Sequence, residues 1–524
     1  MESHQNTNRQ IARAAGTVAF AIVFGQLMGL ARGMLATRIF PTSQLDAFYA
    51  ANRVSETLFT LIAAGALGSA FLPTFTGFLV KDDRHSAWHL ASSMANLVTL
   101  TLSLLAALVA VFAPQVVRYA LAPGLAQDPA LFKLTVDLLR IQLISAVVFG
   151  LGGLVIGILN AHQIFLVPQL TAGMYQLGQI FGILVLGRWM GIYGLAWGVV
   201  IGAVLFLLIQ LPTLFRLKGN YTPTLGLDRP AVRNVLWLMS PRVLGAGVVQ
   251  LNFWVNTLLA SKMPESSITT LTLGFALMLM AQAAIAQSVA IAVMPTFSAQ
   301  FALDKQDEMR ASLAAALRGM LLLAIPASVG LILLRTPIVA MLYQRGEFGP
   351  QQVEMAAWAL GWYAAGLIGH SVLEVLTRAF YARHDTWTPV GVGFLAMSLN
   401  VAFSIGFSAW FGQMGLMPHG GLALANSLAT ALEAAALFLL LRRQLGGIHG
   451  KEIVTGAAKF GLAALGMALA LLVWIKFGTG MNRWIQGLGG VAVGGAVYGL
   501  GVVLLRVPEI RGILGAVRRR VQKP

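Results

Sequence analysis

The sequence predicts an all-α polytopic membrane protein of about 14 transmembrane helices, two pseudo-symmetric six-helix lobes plus two extra C-terminal helices. Three observations lead there: long apolar runs recur along the whole chain, charged residues are scarce, and a six-run pattern repeats once. Of 524 residues, 57% are hydrophobic and only 10% charged, against about 25% charged in a soluble domain. The runs are continuous over about 20 residues, whereas barrel strands alternate over about ten.

The first lobe covers 11–216, with spans expected at 11–40, 47–80, 88–112, 132–160, 166–187 and 191–216. The polar opening MESHQNTNRQIAR runs straight into a full-length span, so no cleaved leader is expected. In the first span Gly25, Gly29 and Gly33 fall at i, i+4 and i+8, a smooth stripe against which another helix backbone can pack. A basic, proline-containing linker follows at 217–230, flanked by Arg216 and Arg233 and carrying Lys218, Pro223, Arg229 and Pro230. The second lobe covers 231–445, with spans at 231–262, 267–302, 312–334, 351–383, 388–412 and 419–443. Two additional helices lie in 455–506, at 455–477 and 484–506, and a basic tail occupies 507–524.

The repeat rests on ordered matches at nearly constant separation. Pro73-Thr74-Phe75-Thr76 before Lys81-Asp82-Asp83 matches Pro295-Thr296-Phe297-Ser298 before Asp304-Lys305. Asn160-Ala161-His162 leading to Pro168 matches Tyr381-Ala382-Arg383 leading to Pro389. Gly124 and Pro129 pair with Gly346 and Pro350, and Gly194-Leu195-Ala196 with Gly421-Leu422-Ala423. Six spans is an even number, so both halves share one topology, with a pseudo-two-fold along the membrane normal and a substrate site between them. That is a transporter plan.

Charge placement excludes other classes. The net charge of +17 sits in short clusters between spans, such as Lys81 and Arg84, Lys305 and Arg310, or Arg442, Arg443 and Lys451. This suits anionic membrane lipids and the positive-inside rule, with both termini cytoplasmic, and not a nucleic-acid groove. No cysteine is present, so thiol catalysis and thiolate metal sites are excluded. No GxxxxGK[ST], Ser-His-Asp or H-E-x-x-H pattern occurs. The expectation is therefore no enzyme and no cofactor, with the membrane potential or an ion gradient, a monovalent cation included, supplying energy.

Ionisable residues inside spans cost about 2.5–3.5 kcal/mol on insertion scales and so mark candidate sites. Arg32 either faces a wet cavity or snorkels toward the helix end near Arg38. Asp46 opens the second span, and Arg53 and Glu56 at i, i+3 either line the cavity or form a structural ion pair. Arg140 and Arg242 line the cavity or anchor near an interface. Gln250, Asn252 and Asn256 line it or hydrogen-bond between helices. His370, Glu374 and Arg378 at successive i+4 steps read as a coupling or gating relay or as a satisfied ladder. Glu433 faces the same choice, and His85 with His89 lacks a third metal ligand.

Three stretches carry a family resemblance: DAFYAANRVSETLFTLIAAGALGSAFLPTF (46–75), Gln250–Ser261 with Asn256-Thr257 and Ala260-Ser261, and AFYARHDTWTP (379–389). The chain resembles the MurJ (MviN) lipid II flippases, relatives of MATE exporters and polysaccharide flippases, over about residues 10–445. The resemblance implies alternating access that moves an undecaprenyl-pyrophosphate-linked glycan precursor across the bacterial inner membrane, with cell-wall synthesis machinery as a further partner. It implies a pyrophosphate clamp of arginines in spans one, two and eight, and a lipid-tail groove in 455–506. Arg32 and Asp46 match that pattern. Gln26, Gly33, Phe59 and Ala276 depart from it, and 268–302 holds no charged residue. The alternatives are a flippase for another polyprenyl-linked glycan, a cation-coupled exporter whose cavity would be acidic, and a non-transporting cell-wall scaffold.

Overall fold

The computed structural model describes residues 2–61, 71–478 and 480–509; the side chains of 2–20, 241, 242 and 244 lie outside the description, as does the Arg518–Arg520 tail. All regular structure among the described residues is helical. The first helices are α1 (Glu2–Ile39), α2 (Thr42–Phe59), α3 (Leu72–Val80), α4 (Arg84–Val111) and a single turn α5 (Ala113–Gln115). Next come α6 (Pro129–Ala161), α7 (Leu166–Phe181), α8 (Gly187–Met190), α9 (Ile192–Leu208), α10 (Leu211–Arg216) and α11 (Pro230–Ser261). Then follow α12 (Ser267–Gln282), α13 (Ser288–Ala302), α14 (Gln306–Leu333), α15 (Arg335–Tyr343) and α16 (Pro350–Ala382). The chain ends with α17 (Trp387–Gln413), α18 (His419–Gln444), α19 (Gly450–Phe477) and α20 (Arg483–Leu504).

Among the described residues, 11 helices are long and apolar enough to cross a membrane, or up to 12 if Pro230–Ser240 and Gly245–Ser261 count as one span. The other two expected spans fall on α1 and on the α2–α3 pair, between which residues 62–70 lie outside the description. Polar side chains also dilute α2, which carries Asp46, Arg53 and Glu56 within 18 residues.

The repeat is written into the backbone. α4 and α14 are both 28 residues long, and α6 and α16 both 33. The short turn and π-helix over 113–121 correspond to α15, and the π-helical turn after α2 to the one at Ala283–Gln287. Left-handed residues recur in step: Asp82 (φ 57°) with Asp304 (φ 53°), and Gln163 (φ 60°) with His384 (φ 60°). Helix starts follow ordinary capping chemistry. Asp83 accepts the Ser86 amide at 3.0 Å, Asp128 the Ala130 amide at 2.7 Å, and prolines at 129, 230 and 350 open α6, α11 and α16.

Two compact units result. Residues up to Thr269, joined by Arg345–Phe348, form one; Thr270–Gln344 and the chain from Gly349 form the other. In the first, α2 and α4 pack on α6, α6 on α9, and α7 on both α1 and α9. The glycine stripe of α1 faces α7 as expected: a Cβ on Gly25 would lie 3.5 Å from the Ala172 side chain, and one on Gly29 3.5 Å from Gln176. Those are ordinary contacts. α7 and α9 approach much more closely, where a Cβ on Gly178 would sit 2.3 Å from the Gly202 backbone. In the second unit α14 and α18 pack on α16, α17 on α18, and α19 on α14 and α20.

Candidate functional site

The site grows from Arg32 in the first unit. Its guanidinium Nη1 donates to Gln179 Oε1 at 3.1 Å, and Gln179 is fully buried on α7. Gln179 Nε2 in turn donates to Gln176 Oε1 at 3.4 Å, one turn earlier. Arg32 Nε is buried and has no hydrogen-bond partner among the described residues. Tyr175, beside Gln176, lies within electrostatic reach of Arg32, Glu56 and Tyr49. Arg32 therefore points inward onto α7, which decides against snorkelling. Its partner is a neutral amide, which fixes the guanidinium without cancelling its charge.

A second cluster joins α2 to α11. Arg53 Nη1 donates to Glu56 Oε2 at 3.0 Å and its guanidinium stacks over Phe253 with 4.9 Å to the ring centroid. Thr57 donates to Gln250 Oε1 at 3.2 Å and accepts from Trp254 Nε1 at 2.8 Å. Asn256 donates to Asn252 Oδ1 at 3.3 Å on the same helix. Tyr175 lies within electrostatic reach of both Arg32 and Glu56, so the two clusters are neighbours, with Arg53, Glu56, Thr57 and Gln250 hydrogen-bonded within the second. Beside it Phe59, at the departed arginine position, packs on Phe149 at 5.1 Å and on Phe206 at 6.4 Å, while Tyr175 meets Phe149 at 4.9 Å. An apolar wall stands where the resemblance implied a cation.

Asp46 sits elsewhere, at the start of α2. Buried, it accepts the Ser266 amide at 2.8 Å and the Thr269 amide at 2.7 Å, while Thr42 and Ser266 share a hydroxyl hydrogen bond of 2.6 Å. Both carboxylate oxygens hold the entry to α12, the use that helix N-termini make of an anion. The paired glycines of the repeat lie at equivalent contacts. A Cβ on Gly124 would fall 1.7 Å from the Ser261 carbonyl oxygen, and one on Gly346 1.9 Å from that of Arg38.

The other candidates separate. Arg140 is exposed and donates to the Ala110 carbonyl at 3.1 Å, and the Arg242 side chain lies outside the description. In the second unit His370 Nε2 pairs with Asn426 Oδ1 at 3.1 Å, whereas Arg378 donates to Glu374 at 3.0 Å. The i+4 stripe is thus a histidine–amide pair beside a salt bridge. Glu433 is half-buried, facing Gly393. No charged residue occurs in α12 or α13, and Ala276 is exposed. No group of three or more metal-ligating side chains occurs among the described residues.

The 379–389 motif is a turn. Asp385 Oδ1 accepts the Thr388 amide at 3.0 Å and Oδ2 the Thr388 hydroxyl at 2.7 Å. Burial pushes the Asp385 carboxyl upward, but the Thr388 and Gln444 hydrogen bonds and the nearby Arg383 charge outweigh it and hold it below the ordinary range. Asp83, in the loop before α4, is likewise held low by the Ser86 amide. Sequence reading missed Gln176, Gln179 and Tyr175, although polar residues at i, i+3 inside an apolar span were a visible signal.

The family profile of lipid II flippase MurJ matches residues 35–488. A lipid II flippase MurJ of Burkholderia cenocepacia is 30% identical over 481 residues, covering 90% of this chain and 89% of that one. A probable lipid II flippase MurJ of Vibrio cholerae is 27% identical, covering 97% and 98%. Among solved structures, a lipid II flippase MurJ in an inward closed conformation matches with TM-score 0.79 at 23% identity, covering 94% of this chain and 99% of that one. An inward-facing MATE family multidrug transporter of the MOP superfamily matches with TM-score 0.69 at 16% identity, covering 80% and 94%; both likenesses concern the fold. With the profile and the Burkholderia relative spanning most of its length, this multi-pass helical chain belongs to the lipid II flippase MurJ family.

Proposed function

We propose that this chain moves lipid II, an undecaprenyl-pyrophosphate-linked peptidoglycan precursor, from the inner to the outer leaflet of the bacterial cytoplasmic membrane by alternating access. The observation that carries the reading is Arg32, turned inward from an apolar span and held by an uncharged partner. A pyrophosphate cannot cross hydrocarbon unaided, and a guanidinium replaces part of its hydration with charge-assisted hydrogen bonds. The names of the relatives support the substrate. In this orientation both termini are cytoplasmic, as the clusters of Lys and Arg between spans favour. The Asp46–Ser266 contacts then lie at the outer face.

An anion leaving an inside-negative cytoplasm gains about 2.3 kcal/mol per elementary charge per 100 mV, so the membrane potential can drive the cycle without a coupling cation. The charge-free stretch from Ser267 to Ala302 favours a second substrate, another polyprenyl-linked glycan with a lighter anionic head. Export of labelled lipid II in cells depleted of their own flippase tests the first reading. Rescue by the wild-type chain is expected, with a loss of about tenfold or more on Arg32→Ala, the cost of one charge-assisted contact. Absence of rescue by a membrane-inserted wild-type chain would reject lipid II as the cargo.

A further inference from the structure

A separate charged cleft lies in the second unit, where the start of α19 meets α14 and the segment after α20. It has a volume of about 340 Å³, and its lining includes Arg318, Lys451, Thr455, Lys459 and Glu509. Arg318 is held between two carboxylates: it pairs with Glu452 and donates through Nε to Glu509 at 2.8 Å. Lys451, Thr455 and Lys459 follow at i, i+4 and i+8 on one face of α19, and the Thr455 hydroxyl is turned back onto the Lys451 carbonyl at 2.7 Å. Neither lysine makes an ion pair among the described residues, and Lys459 stands half-buried roughly two and a half turns into the helix. Among the described residues the cleft thus brings three cations to two carboxylates, Glu452 and Glu509, an excess of one positive charge.

We infer that this cleft binds a single phosphodiester head group of an anionic lipid. The excess charge equals that of one phosphodiester, and Lys459 is placed where a membrane helix meets the head-group layer, with its ammonium free to be neutralised. Among the described residues, Glu509 Oε2 is buried with no hydrogen-bond partner. A bare phosphate gives that carboxylate nothing, whereas a hydroxyl on the head group donates to it. The ligand class is therefore an anionic phosphodiester whose head group carries hydroxyls, with phosphatidylglycerol as its simplest probe. This site owes nothing to Arg32 or to the identity of the flipped cargo.

Native mass spectrometry of the full-length protein in detergent, titrated separately with phosphatidylglycerol and phosphatidylcholine, tests the assignment. Phosphatidylglycerol retention should fall about fivefold in Lys459→Gln, the worth of one interfacial cation, and recover in Lys459→Arg, while phosphatidylcholine retention stays weak throughout. Should Lys459→Gln unfold in detergent, Lys451→Gln carries the same comparison. Displacement of the lipid by millimolar inorganic phosphate would support the same cleft with the free anion as occupant; resistance to it supports the lipid. Equal retention of phosphatidylglycerol by wild type and the folded glutamine variant, or equal retention of the two lipids by wild type, would overturn the proposal.

Discussion

Gly124 and Gly346 occupy equivalent places in the repeat, yet alanine should affect them differently. Gly124 has φ −67°, a conformation open to any residue, so Gly124→Ala perturbs only the contact. The new Cβ would meet the Ser261 carbonyl oxygen at 1.7 Å and the Lys262 nitrogen at 2.8 Å, both backbone atoms with no rotamer to yield. Overpacking of that kind costs about 1–3 kcal/mol. Gly346 carries the same clash, 1.9 Å from the Arg38 carbonyl, and its φ of 55° adds about 1–2 kcal/mol for a side chain in left-handed backbone. If these contacts keep this end of the first unit closed, Gly124→Ala should raise the open population by about fivefold or more and Gly346→Ala further.

The cysteine-free chain makes the assay direct. Ser266, 1% exposed and hydrogen-bonded to Thr42, becomes a reporter as Ser266→Cys, labelled by a membrane-impermeant maleimide in spheroplasts. The expected order of labelling rate is Gly346→Ala above Gly124→Ala above the reporter alone. Acceleration by Gly346→Ala with none by Gly124→Ala would assign the effect to backbone strain and refute the contact argument.

Other consequences are more local. Asp46→Asn keeps the shape but loses an acceptor for one of two backbone amides, and should lower stability by about 1–3 kcal/mol in thermal unfolding while speeding Ser266 reporter labelling. Asp385→Ala should cost about 1 kcal/mol by releasing the first turn of α17. Because the folded Asp385 carboxyl is held below its ordinary 3.8, its contribution is complete above that pH and is lost as pH falls through the lower folded value. Acid unfolding of Asp385→Ala should therefore lose part of the pH dependence below about 4; an unchanged acid limb would contradict the bond.

Much of the architecture was legible because it is carried by composition and by repetition. The Pro73 and Pro295 motifs and the Gly124 and Gly346 pair located the repeat, and the backbone reproduces it down to the left-handed Asp82 and Asp304. The breaks inside spans were not legible. A π-helical turn such as Ala283–Gln287 is made of backbone hydrogen bonds and has no distinctive side chains. Site geometry was half legible: an arginine in an apolar run announces itself, but its partner does not. Asp46 is expected at the cargo site through the family resemblance, and only folding brings Ser266 and Thr269 to it. Gln179 drew no notice as one amide in an apolar span, yet it is the buried partner onto which Arg32 is aimed.

The contrast among partners leads to the last prediction. Arg53 is matched by Glu56 and Arg378 by Glu374, so those charges are largely answered within the chain. Arg32 meets an amide, so its position is fixed while its charge stays available to an anion. Gln179→Glu, nearly isosteric, would replace that amide with a carboxylate and convert Arg32 into an internal ion pair. The fold should survive, with thermal unfolding close to wild type, because an ion pair replaces the Arg32–amide bond while the Gln179 Nε2–Gln176 bond is lost. Lipid II export should nevertheless fall about tenfold or more, as for Arg32→Ala. Gln179→Leu should lose less export than Gln179→Glu, since it frees Arg32 without neutralising it. Were Gln179→Glu to export at the wild-type rate, the positive charge of Arg32 would not be what the cargo reads.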